Sequence, residues 1–128
     1  MTYDYETNIK DAENLIKRFT QGTLPHFING KHHNSKSGNT FESIAPANNS
    51  VIGSVVSGNS EDVNAACHAA TQAFETWRNI SGKERKKILH KVADAIEKNA
   101  RDIALVESVD SGQAIRFMNK AAIRGAAN

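Results

Sequence analysis

Cysteine is nearly missing from this chain: Cys67 is the single thiol among 128 residues. One thiol makes no internal disulfide and no multi-cysteine zinc site, and a reducing, cytoplasmic location is the simplest reading. Long apolar runs are missing too. None approaches the roughly 20 residues that a membrane-crossing helix needs. The acidic, polar start Met1-Thr2-Tyr3-Asp4-Tyr5-Glu6 does not read as a signal peptide. Charge of one sign is scarce, with a formal net charge of +2 and a pI near 8.8, too mild to argue for nucleic acid. Neither G-x-G-x-x-G nor G-x-x-x-x-G-K-S/T occurs, so no recognisable loop cradles a nucleotide. No internal repeat or low-complexity linker marks a domain boundary.

What is present suits a folded, water-soluble protein: 39% hydrophobic and 23% charged residues, at a length where one core is feasible. In residues 7–19, Ile9, Ala12, Leu15, Ile16 and Phe19 place an apolar stripe on a helix that Thr7 caps and Gln21-Gly22 ends. Phe27 to His33 reads as a hairpin, because Asn29-Gly30 supplies the two positive-φ positions of a type I′ turn. Phe41-Glu42-Ser43-Ile44 alternates as a half-buried strand does. Pro46 lacks an amide donor and closes it, and Asn48-Asn49 tolerate the left-handed turn that follows. Residues 51–56 form the next strand, which Gly58 ends.

The period then changes from two to 3.6. Asn59 or Ser60 caps a helix with Glu61 and Asp62 in its first turn, where the dipole favours negative charge. Val63, Ala66, Cys67, Ala70, Ala73, Phe74 and Trp77 form its continuous apolar face. Ser81 and Glu84 have capping-box spacing, and Ile88, Leu89, Val92, Ala93 and Ile96 follow on one side. Asn99 breaks the helix and restarts it through Ile103 and Val106 to Val109, with Gly112 as its left-handed terminator. A last helical run from Ala114 to Asn128 carries no stop signal.

Each residue type suited to chemistry has a plainer reading beside it. Cys67 is the one candidate thiol nucleophile, but it falls mid-helix on an apolar face, away from any helix N-terminus that lowers a thiol pKa. Burial as a small hydrophobe is the expectation. Adjacent strand residues point to opposite faces, so His32 and His33 do not chelate one ion. His26, His68 and His90 fall on different elements without ligand spacing. Lys83, Arg85, Lys86 and Lys87 read as a solvated helix face, since no aromatic residues interleave to stack bases.

The order of these elements resembles the opening of the aldehyde dehydrogenase superfamily, from about residue 24 to the last. The resemblance rests on Phe27-Ile28-Asn29-Gly30-Lys31, the Thr40 to Pro46 strand, residues 51–58 and Trp77 at the end of the first long helix. It continues in Glu84-Arg85, in Ala93-Asp94-Ala95-Ile96, and in the acidic, glycine-terminated stretch from Val106 to Gln113. Residues 109–128 look most like semialdehyde dehydrogenases of the muconic type. Asn48-Asn49-Ser50 replaces the family's usual Thr-Gly-Glu turn.

The resemblance implies an α/β fold of which the chain holds only the N-terminal part, a short strand meander followed by helices. It implies one incomplete domain, the front of an NAD(P)-binding domain, with a leader helix in 1–23, the meander in 24–58 and helices in 59–128. The implied reaction oxidises an aldehyde or semialdehyde to the acid. A cysteine thiolate attacks, hydride passes to NAD or NADP, and the thioester is hydrolysed. The family's nucleophile, oxyanion asparagine, glutamate base and cofactor loop have no counterpart here. No residue is therefore assigned as catalytic, cofactor-binding or metal-binding, and the chain alone is expected to be inactive. In some relatives the aspartate matching Asp110 and the carbonyl near Ile44 help hold a monovalent cation. The plainer reading is an aspartate ending a helix beside Gly112. The aldehyde substrate and the cofactor belong to the complete enzyme, and neither nucleic acid nor membrane is an expected partner. Helix faces without their intended cover imply exposed apolar surface and self-association. A small interaction module derived from the enzyme is the alternative.

Overall fold

The computed structural model describes residues 4–127, so Met1 to Tyr3 of the expected leader and Asn128 of the expected last helix lie outside the described residues. The first helix, α1 (Tyr5–Thr20), is capped by Asp4 rather than Thr7. Asp4 is extended, and its carboxylate accepts the Thr7 amide at 3.2 Å and the Thr7 hydroxyl at 2.8 Å. The correction has a simple cause: a carboxylate also satisfies the positive end of the helix dipole, which a hydroxyl does not.

Five strands follow. The two-residue β1 (Thr23–Leu24) is too short to show alternation, and it pairs in parallel with a strand far along the chain. The expected hairpin is β2 (His26–Ile28) against β3 (Lys31–His33), turned by Asn29 at φ 52° and Gly30 at φ 72°. Its register sets His26 opposite His33. β4 (Thr40–Ile44) and β5 (Val51–Val56) pair antiparallel with an irregularity at Ser43/Ile44, giving a sheet of order β1-β5-β4. Between them Asn49 takes φ 58°, and the Asn48 side chain accepts the Ser50 amide at 3.0 Å.

Four more helices complete the described chain: α2 (Ser60–Trp77), α3 (Gly82–Lys98), α4 (Ala100–Ser111) and α5 (Ile115–Ala127). Asn59 caps α2 by accepting the Glu61 and Asp62 amides, and Asp62 accepts the Asn59 amide in return. Ser81 and Glu84 form the expected capping box of α3. Asn99 separates α3 from α4, and Gly112 ends α4 at φ 72°. A Cβ at Gly112 would also lie 2.9 Å from Pro46 Cγ, so both backbone and packing require glycine there.

Packing is uneven. Ala45, Ile52, Val56, Ala104, Leu105 and Met118 are the buried apolar residues among those described, where α4 meets α1 and α5 beside the sheet. α2 leans mainly on β2. Its apolar face is correspondingly open: Val63 is 59% and Phe74 54% exposed, and Leu89 and Val92 of α3 are exposed as well. The expected burial of Cys67 is therefore wrong for this chain, where the thiol is free and exposed. Helical periodicity identifies an apolar face; burial also requires an element to lie on it.

Candidate functional site

An apolar groove of about 550 Å³ lies between the end of α2 and the start of α3. Ala70, Ala73, Phe74 and Trp77 form one wall, with Ile80 and Ile88 opposite. The α2–α3 turn is held from within. Arg85 donates through Nη2 to the Ile80 carbonyl at 3.1 Å, and its guanidinium lies 5.6 Å from the Trp77 ring centre. Arg85 thus leaves the solvated basic face expected of it, while Lys83, Lys86 and Lys87 remain exposed. Thr76 brings a hydroxyl to the lining, but no acid or base stands among the lining residues to activate it, so the groove suits an apolar surface rather than acid–base or covalent chemistry.

A polar cluster lies at the other end of α2. Asp62 is buried, and its Oδ2 accepts the Ser35 hydroxyl at 2.7 Å and the Asn59 amide at 3.1 Å. Its Oδ1 accepts the Lys36 amide at 3.1 Å, and His26 Nε2 stands 3.7 Å from Oδ2. These donors hold the carboxyl at about 2, with the Ser35 hydroxyl the largest cause, then the Asn59 amide, and the Lys36 amide and His26 adding less. The cluster ties the loop after β3 to the helix that follows β5. The Asn59-x-x-Asp62 spacing is the readable signal for the local half. The bond from Ser35, 27 positions away, has no signature in any local pattern.

The remaining candidates are dispersed. His32 packs edge-on against Phe27, with ring centres 5.4 Å apart, while His68 and His90 are exposed on α2 and α3. Strand pairing sets His26 opposite His33, which sequence spacing does not reveal. Cys67 offers its carbonyl to the Thr71 hydroxyl at 3.0 Å, an ordinary contact within a helix. Asp110 does more than end α4, because it accepts the Ser43 hydroxyl at 2.7 Å and fastens the helix end to β4. No group of three or more His, Cys, Asp or Glu among the described residues is placed to hold a metal ion. No described helix is long and apolar enough to cross a membrane. The residues of the groove do not fit a dinucleotide, since it offers no amide nest or cationic side chain for a pyrophosphate.

Comparison with known proteins gives one consistent result. The profile of the aldehyde dehydrogenase family matches residues 32–128. Aldehyde dehydrogenase 1 of Tanacetum cinerariifolium is 48% identical over 89 residues, 68% of this chain and 18% of that protein. The 2-hydroxymuconic semialdehyde dehydrogenase of Pseudomonas sp. (strain CF600) is 40% identical over 107 residues, 82% of this chain and 22% of that protein. Among solved structures, HpcC from Thermus thermophilus superimposes with a TM-score of 0.88 at 36% identity, covering 93% of this chain and 23% of that one. Betaine aldehyde dehydrogenase from Staphylococcus aureus, solved with NAD+, gives a TM-score of 0.80 at 25% identity over 91% of this chain and 25% of that one. The chain spans about a fifth of the length of the relatives it matches.

Proposed function

The chain belongs to the aldehyde dehydrogenase family, and from that premise we propose that it is the N-terminal part of an NAD(P)-dependent enzyme. That enzyme oxidises an aldehyde or semialdehyde to the carboxylic acid through a cysteine thioester. The observation that carries the proposal is the match across residues 32–128 to about a fifth of much longer enzymes. The uncovered faces of α2 and α3 support it, because such faces belong against a partner. The chain is then one incomplete domain, the front of the NAD(P)-binding domain, in a cytoplasmic homo-oligomer.

In this reading the described residues contribute packing rather than catalysis. The groove does not fit a dinucleotide and Cys67 lies on a packing helix, so no reaction step is assigned to any of them. Similarity to a 2-hydroxymuconic semialdehyde dehydrogenase favours a semialdehyde substrate.

The test is direct. The isolated 128-residue chain is expected to show no NAD(P)H formation with a muconic-type semialdehyde or an aliphatic aldehyde, and its sedimentation is expected to depend on concentration. Turnover by the isolated chain would overturn the proposal. A strict monomer that binds a full-length dehydrogenase saturably would favour an interaction module instead.

A further inference from the structure

His26 is the least settled polar group around Asp62. Its Nε2 is buried without a hydrogen-bond partner, although its side chain as a whole is 24% exposed. The ring is confined: a Cβ at Gly58 would lie 3.2 Å from His26 Cε1, so the backbone there leaves room for the imidazole and little more. The nearest charge is Asp62 Oδ2 at 3.7 Å. Neutral imidazole leaves a buried nitrogen unpaired at that distance, whereas imidazolium acquires a carboxylate partner.

We propose that His26 and Asp62 form a proton-controlled latch: protonation of the imidazole fastens the β2–β3 hairpin to the start of α2, and deprotonation loosens it. The pairing joins two elements that otherwise touch sparingly. Phe27, Ile28, Asn29 and Gly30 of the hairpin overhang Ala66 and Ala70 of α2, with a cleft between them. The latch sets how closely the hairpin covers that apolar stripe. The Asp62 carboxyl is held down at about 2 by its donors, so its charge is constant between about pH 5 and 8. The other titratable or charged groups around the imidazole are His33, opposite on β3, and Lys36, whose amide donates to Asp62. His32, against Phe27, is the hairpin's remaining histidine.

Amide hydrogen exchange of residues 26–33 tests the latch in the full chain, at dilute concentration and corrected for intrinsic rates at each pH. Protection in the wild type is expected to rise about 1.5-fold to fivefold between about pH 8 and pH 5.5, the scale of a partly exposed ion pair. His26→Gln, which keeps a polar side chain without the proton switch, is expected to abolish the rise, and His33→Gln is expected to retain it. Equal protection at both pH values in the wild type would overturn the proposal, as would an unchanged rise in His26→Gln or its loss in His33→Gln. Far-ultraviolet circular dichroism confirms that each variant is folded. A variant that fails this check is replaced by His26→Asn, read by the same criterion.

Discussion

Leu105 and Phe74 are large apolar residues on two helices of the same chain, with opposite expected consequences when truncated. Leu105 is 3% exposed where α4 meets α1 and α5, while Phe74 is 54% exposed on α2. Removing a buried leucine loses its transfer free energy and leaves a cavity, and such changes cost about 2–5 kcal/mol. The core here is thin and can partly collapse, so Leu105→Ala is expected at the lower end, about 3 kcal/mol. For a chain of this length that lowers Tm by roughly 10 °C. Phe74→Ser removes a side chain already largely in water and is expected to change stability by less than about 0.5 kcal/mol. It is also expected to weaken self-association, because it removes apolar area from the open groove. Urea unfolding followed by circular dichroism at micromolar concentration, beside sedimentation velocity, separates the two effects. If Phe74→Ser costs as much stability as Leu105→Ala in the monomer, the α2 face is covered within the chain and the reasoning fails.

Three further outcomes follow from the same packing. Gly112→Ala places a Cβ at φ 72° and 2.9 Å from Pro46 Cγ, and is expected to cost at least about 1–2 kcal/mol in urea unfolding. The Asp62 carboxyl is depressed to about 2 in the folded chain, from an ordinary value near 3.8. Its contribution is therefore present above about pH 4 and lost as pH falls towards 2. Asp62→Asn should be less stable than wild type at about pH 7 and lose less on acidification, which pH-dependent unfolding checks. Asp11 pairs with Arg101, and both side chains are at least a third exposed. Asp11→Asn is expected to cost under about 1 kcal/mol, a difference that shrinks at about 1 M salt.

Local chemistry makes much of the fold readable. Asn29-Gly30 announces the I′ hairpin, Ser81 with Glu84 the start of α3, and Gly112 the end of α4. These signals work because backbone hydrogen bonding and positive φ are satisfied within a few residues. Asp4 escapes a sequence reading as the α1 cap because Thr7, its donor partner, is itself a good capping residue. β1 escapes it because two residues show no alternation and its partner lies about thirty positions away. Ala104, Leu105 and Met118 are core through contacts between α4 and α5 that no single-helix stripe specifies. Cys67 shows the converse error, since its apolar face is legible and the lack of a cover in this chain is not. In the candidate site, the Asn59–Asp62 cap is within reach of a sequence reading. The bonds to Ser35 and His26 depend on tertiary placement.

The central claim, that this chain is the front of a longer aldehyde dehydrogenase, is tested most directly by the intact mass of the native product in its source cells. A mass several-fold above the 14.0 kDa of the chain is the expected result, with this sequence at its N-terminal end. A product of 14.0 kDa would contradict the claim and leave a short protein whose open α2–α3 groove belongs to another partner.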